Sequence, residues 1–236
     1  MRVLFIFPHP DDESYGPGRF MFHLQRHGHE VFLLTLTKGE ATKQRLRLGV
    51  DKKEMGNIRY KEMLAMQKVL GITRMDVWAY PDGGLKDLDP RPLENDIMTY
   101  LKEHQPDVVI TYPVHGISGF YDHLVCHAVV KRVFVEWKEG CKHPARLAFF
   151  GPREEQARHA THWIPLKGLT DDEIDCTVCV DEEDIEANKQ ALDCYVTYRS
   201  TVEESGIKKM LHPEIHFTFF GENHTPPLTS VFEAMK

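Results

Sequence analysis

Short apolar runs alternate along the chain with longer segments of helical periodicity. Residues 2–7 (Arg-Val-Leu-Phe-Ile-Phe) are almost unbroken in apolar character, the pattern of a strand buried on both faces. Residues 31–37 repeat that pattern, and residues 76–80, 107–112 and 146–151 give shorter versions. Helical segments fall between them at residues 16–27, 57–70, 92–104 and 123–137. Gly28 ends the first, and Gly71 ends the second after Met63, Leu64, Met66, Val69 and Leu70.

Strands alternating with helices predict β-α-β units. Right-handed crossovers then place helices on both faces of a mostly parallel sheet. The expected fold is α/β: a Rossmann-like, doubly wound sheet. Beyond residue 150 the pattern is less regular. A strand at 176–180, a helix at 182–198 and a late strand at 214–220 predict a C-terminal appendage on the same core. With no Pro/Gly/Ser-rich linker and no repeat, residues 1–236 read as a single domain, with 1–150 as its core and 151–236 as the appendage.

Composition adds exclusions. A hydrophobic fraction of 42% and a charged fraction of 28% suit a folded globular chain. The net charge of −7 argues against a nucleic-acid partner. Residues 38–61 run against that balance. Lys38, Lys43, Arg45, Arg47, Lys52, Lys53, Arg59 and Lys61 face only Glu40, Asp51 and Glu54. A solvated loop and helix face accounts for this, and so does a field that draws in an anionic substrate. The first apolar run is too short for a secretory segment, and no stretch reaches the roughly 18 apolar residues of a membrane span. A cytoplasmic location is the expectation. Cys176 and Cys179 sit three apart in a strand-like segment, on opposite faces, and so are poorly placed to share a metal.

In a doubly wound sheet, ligands sit beyond the carboxyl ends of the strands, where strand order reverses. The turn after the first strand lacks the G-x-G-x-x-G of a dinucleotide cradle. It reads Pro8-His9-Pro10-Asp11-Asp12-Glu13-Ser14, one imidazole and three carboxylates in a turn that Pro8 and Pro10 restrict. That is a cation site in type. His9 and Asp12 can converge on one ion, and catalytic zinc takes three protein ligands plus water. The loop after the fourth strand, ending Gly119-Phe120-Tyr121-Asp122-His123, supplies candidates for the third. Asp11, left unligated, could take a proton from a water whose pKa the metal lowers toward ~7. The plainer alternative is that Asp11, Asp12 and Ser14 cap the first helix.

Pro8-His9-Pro10-Asp11-Asp12-Glu13 resembles the first motif of the PIG-L/LmbE-like zinc deacetylases. That resemblance implies a Rossmann-like fold and removal of acetyl groups from N-acetylglucosamine conjugates, including glycosylphosphatidylinositol, mycothiol and bacillithiol precursors. It implies one Zn²⁺ per chain, or another divalent transition metal, on His9, Asp12 and His123, with Asp11 as general base. It covers most of the first 135 residues. Thr37-Lys38-Gly39-Glu40 is similar to the family's segment after strand two. Arg59 and Glu62 resemble its Arg-x-x-Glu, with the arginine facing the substrate. Tyr80-Pro81-Asp82-Gly83-Gly84 resembles the loop whose aspartate contacts sugar hydroxyls. Lys38 and Tyr121 join Arg59 and Asp82 as expected substrate contacts. Family analogy also implies a homo-oligomer.

The second motif departs from the family's His-Pro-Asp-His. Phe120 stands where the first histidine stabilises the oxyanion, and phenylalanine donates no hydrogen bond. Losing one such donor typically costs ~10²–10³ in rate. His115 is the first candidate substitute, followed by His127 and Tyr121. Asp122 either orients a histidine or caps the helix. Three functions follow: an N-deacetylase of a sugar conjugate, a non-catalytic metal- or sugar-binding member of the family, or a metal-dependent amidase on a thiol conjugate. The basic stretch suits an anionic substrate, such as a bacillithiol-type precursor carrying malate.

Overall fold

A computed structural model describes residues 1–141, 145–159 and 164–235. The strands are β1 (Arg2–Phe7), β2 (Glu30–Thr37), β3 (Arg74–Tyr80), β4 (Val108–Thr111), β5 (Arg146–Gly151), β6 (Cys176–Cys179) and β7 (Glu214–Phe219). They form a single seven-stranded sheet in the order β3-β2-β1-β4-β5-β7-β6. β1 to β5 pair in parallel, while β7 runs antiparallel to both β5 and β6. The order reverses between β1 and β4, which places the two loops of interest side by side.

The helices in chain order are α1 (Asp12–Tyr15), α2 (Gly18–Arg26), α3 (Gln44–Leu48), α4 (Lys52–Leu70), α5 (Pro90–His104), α6 (Tyr121–Glu139), α7 (Glu154–His159), α8 (Glu182–Asp193), α9 (Arg199–Ser205) and α10 (Ile207–Met210). β1 explains the layering. Its period-two alternation sends Val3, Phe5 and Phe7 to one face with Phe20, Met63 and Ala191. Leu4 and Ile6 go to the other with Ile97, Cys126 and Val130. Helices thus cover both faces. Among the described residues no helix is long and apolar enough to cross a membrane.

Three details differ from the sequence reading. The helix expected over 182–198 stops at Asp193, and a separate 3₁₀ turn follows at Val196–Tyr198. α4 begins at Lys52, five residues before the apolar periodicity is visible, because Asp51 caps it by accepting from Glu54 N–H at 2.7 Å. The chain after residue 150 also enters the sheet itself, since β7 inserts between β5 and β6. Its helix α8 packs on α2 and α4. There Asn188 accepts from Arg19 N–H and donates to the Ser14 carbonyl, each at 2.7 Å. The late segment therefore braces the acidic turn from behind.

Candidate metal and active site

The turn after β1 is tightly held. Pro8 O accepts from both the N–H and the hydroxyl of Thr37 on β2. His9 N–H donates to Asp12 Oδ2 at 2.8 Å, which folds the Asp12 carboxylate back over the turn. Asp11 sits at φ 79°, in left-handed backbone. It precedes α1, yet its side chain makes no capping bond. Helix capping therefore does not explain the acidic turn.

His123 arrives from α6. Gly116 lets the β4–α6 loop close over it, since a Cβ there would lie 2.8 Å from His123 Cβ. His123 Nδ1–H donates to Gly116 O at 2.9 Å, with Ser118 Oγ 3.2 Å away. Nε2 is then left with its lone pair, 3.5 Å from Asp12 Oδ1. The Tyr112 ring stacks on the His123 imidazole at 4.2 Å and 9°. His9 Nδ1 approaches Asp12 Oδ2 at 3.5 Å. One donor atom from each of His9, Asp12 and His123 lies within 4.8 Å of the others. Two imidazole nitrogens and a carboxylate are the donor set of a catalytic zinc centre, and the hydrogen bond on His123 Nδ1 is the usual outer support of such a ligand. The residues fit a divalent cation.

Charge is concentrated here. Burial opposes protonation of His9, but hydrogen bonds to Asp12, Asp122 and Asp82 outweigh it and raise its pKa well above the ordinary value. Burial pushes Asp12 up, yet His123 and His9 hold it below the usual carboxylate range. Burial lowers His123. Asp11 behaves oppositely to Asp12: burial pushes its carboxyl up to about 6, against the pull of Arg59. Neighbouring carboxylates thus differ, one held ionised and one poised to exchange a proton.

Several expected substrate contacts are placed differently. Arg59 is 2% exposed and donates to Asp11 Oδ2 and Pro10 O, each at 2.7 Å. Its guanidinium lies 4.2 Å from the centroid of the Tyr198 ring. Arg59 is therefore spent on the candidate base rather than open to substrate. Gly39 permits that packing, because a Cβ would meet Pro10 and the Arg59 side chain within 3.1 Å. Asp82 Oδ1 lies 3.3 Å from His9 Nε2, and its Oδ2 accepts from Ala41 N–H. Lys38 is half-buried with its stem against Gly56. Tyr121 is 64% exposed beneath Lys86.

The three candidate oxyanion donors also separate. His127 Nδ1–H donates to Tyr112 O, and its ring packs on Phe149. Tyr121 faces solvent. His115 Nδ1 accepts from Ile117 N–H, so Nε2 carries the proton, and that buried nitrogen has no partner. The charges acting on His115 are those of Glu173, Lys167 and His127. Asp122, left open by the sequence, accepts from His9 Nε2, Gly83 N–H and Leu85 N–H. The tyrosines around Arg59 were not anticipated at all. Tyr195 and Tyr198 come from the irregular late segment, and only the fold brings them here.

Residues 4–134 match the family model described as PIG-L, GlcNAc-PI de-N-acetylase. The chain belongs to the PIG-L family. Among its relatives is the 1D-myo-inositol 2-acetamido-2-deoxy-alpha-D-glucopyranoside deacetylase of Mycobacterium sp. (strain JLS), 30% identical over 228 residues, covering 83% of this chain and 73% of the relative. The protein of the same description from Kineococcus radiotolerans is 31% identical over 168 residues, and there the match covers 57% of this chain and 45% of the relative. The crystal structure of the A40926 pseudoaglycone deacetylase superposes with a TM-score of 0.72 at 20% identity, covering 93% of this chain and 97% of that one. At that identity the likeness speaks for the PIG-L fold alone.

Proposed function

We propose that this PIG-L family chain is a zinc-dependent hydrolase that removes the acetyl group from an N-acetylglucosamine-type conjugate. One observation carries the reading: donor atoms of His9, Asp12 and His123 lie within 4.8 Å of one another, and Asp11, the next residue in the turn, is paired with Arg59 instead. A divalent cation held by those three residues supplies the Lewis acidity that amide hydrolysis requires. Asp11 accepts a proton from the attacking water and delivers it to the leaving nitrogen. Oxygen bonds to the carbonyl carbon, the C–N bond breaks, and acetate and a free amine result. Arg59 keeps the Asp11 carboxylate oriented through the 2.7 Å bond. His115 is assigned the oxyanion role, because its Nε2–H is a buried donor without an acceptor.

The substrate is a sugar conjugate. Lys38 and the basic residues after it favour an anionic one, whereas the inositol glycoside in the Mycobacterium relative's name carries no charge. The test is a zinc-loaded screen of neutral and anionic N-acetylglucosamine conjugates, read by amine release. Preference for the anionic members supports the finer reading, and equal turnover removes it. Full activity in a metal-free preparation sinks the mechanism.

Phe120, edge-on to His123 at 5.5 Å, favours a second reading, a family member that binds metal and sugar without turnover. Substrate binding with no product in the zinc-replete screen selects it. A thiol-conjugate amidase is separated by including such amides in the panel.

A further inference from the structure

His9 belongs to two candidate ligand sets at once. Beside the set with Asp12 and His123, it forms another with Asp82 and Asp122, whose donor atoms also lie within 4.8 Å of one another. The two sets use opposite ring nitrogens. Nδ1 faces Asp12, while Nε2 faces Asp122 at 3.1 Å and Asp82 at 3.3 Å. A neutral imidazole has one lone pair and one N–H. It cannot ligate cations through both nitrogens without losing that remaining proton.

The carboxylates decide which nitrogen keeps it. Asp122 is 3% exposed, and both its oxygens already accept from backbone: Oδ2 from Gly83 N–H at 2.7 Å and Oδ1 from Leu85 N–H at 3.2 Å. Asp82 Oδ2 likewise accepts from Ala41 N–H at 2.7 Å. Both carboxylates are anchored, and His9 Nε2–H is the side-chain donor between them. We infer that Asp82 and Asp122 do not form a second metal centre. They are the clamp that fixes the His9 tautomer and points Nδ1 at the first, with Asp122 as the principal positioning residue. This rests on the metal-site reading above, but not on any particular substrate. Asp122 also ties the β3–α5 loop to the ligand. That loop and the His9 ring are therefore set together.

Wild-type protein answers first, without any variant. Zinc titration of metal-free protein, followed by competition with a chelator, gives stoichiometry and affinity. Nitrogen-15 NMR of histidine-labelled, zinc-loaded protein reports the ring protons. One equivalent of zinc and a protected His9 Nε2–H are expected. Asp122→Asn should weaken zinc binding about 10–100-fold and shift the Nε2–H resonance, with backbone signals outside the site unmoved. Asp82→Asn should do less. Two equivalents of zinc, one of them lost in Asp122→Asn, would overturn the inference. So would a folded Asp122→Asn with unchanged affinity and an unchanged Nε2–H signal. Neither readout is turnover, so a failed deacetylase assay leaves the result intact.

Discussion

The two sides of the candidate centre are furnished very differently. On the ligand side, His9, Asp12, Asp82, Asp122 and His123 all have assigned hydrogen-bond or charge partners, and their positions are over-determined. The β4–α6 connection and the first residue of α6 are open: Val114 is 70% exposed, Phe120 46% and Tyr121 64%. The connection's one imidazole with a spare donor is His115. On the proposed function, holding a cation and accelerating a hydrolysis would fall to separate sets of residues. Damage to one set need not reach the other.

Asp11→Asn should cost the most. On the proposed mechanism kcat falls about 10²–10⁴-fold, as for loss of a general base, while bound metal stays at the wild-type level by elemental analysis. Retained turnover removes Asp11 from the chemistry. His115→Ala probes the open side. A kcat loss of about 10²–10³-fold with unchanged metal affinity is expected. Unchanged kcat places the oxyanion donor elsewhere. Phe120→His sharpens the contrast in the other direction. Supplying an imidazole beside His123 should raise kcat by about tenfold, and no gain means that the present donor already suffices.

The smallest effect is in pH. Asp11 accepts a proton only when ionised, and burial pushes its pKa up to about 6. The active fraction therefore rises with pH through that region and falls about tenfold per unit below it. An adjacent divalent cation favours the carboxylate and draws the midpoint lower. The acid limb of kcat/KM should have its midpoint at or below pH 6. Activity that rises toward acid would contradict the assignment.

Much of this was legible in residue order, for a local reason. His9, Asp11 and Asp12 lie within four residues on a turn whose strand is announced by Val3 to Phe7, so pattern and chemistry coincide. His123 was accessible because a parallel sheet that reverses at β1 and β4 brings their loops together. The clamp was not legible. Asp122 and His9 are 113 residues apart, and either capping or histidine orientation suits an aspartate at a helix start. Arg59 was expected to face substrate because its position matched a motif. Side-chain direction is set instead by the Asp11 carboxylate and the Tyr198 ring. The strands after residue 150 were recognisable as strands. Their insertion order was not, because nothing in a six-residue run such as β7 states which neighbour it will pair with.

The left-handed backbone of Asp11 has a consequence for how the protein can change. The native state bears a load there twice, through a φ of 79° on a residue with a Cβ and through the partial burial of a carboxylate. Glycine would relieve the first, roughly 1 kcal/mol, and asparagine the second. Either substitution, however, deletes the partner of Arg59 and leaves that buried guanidinium without its ion pair, a loss that outweighs the relief. The pair thus ties the proposed base to the stability of the fold, and selection for heat resistance alone would retain Asp11 unless Arg59 changed with it.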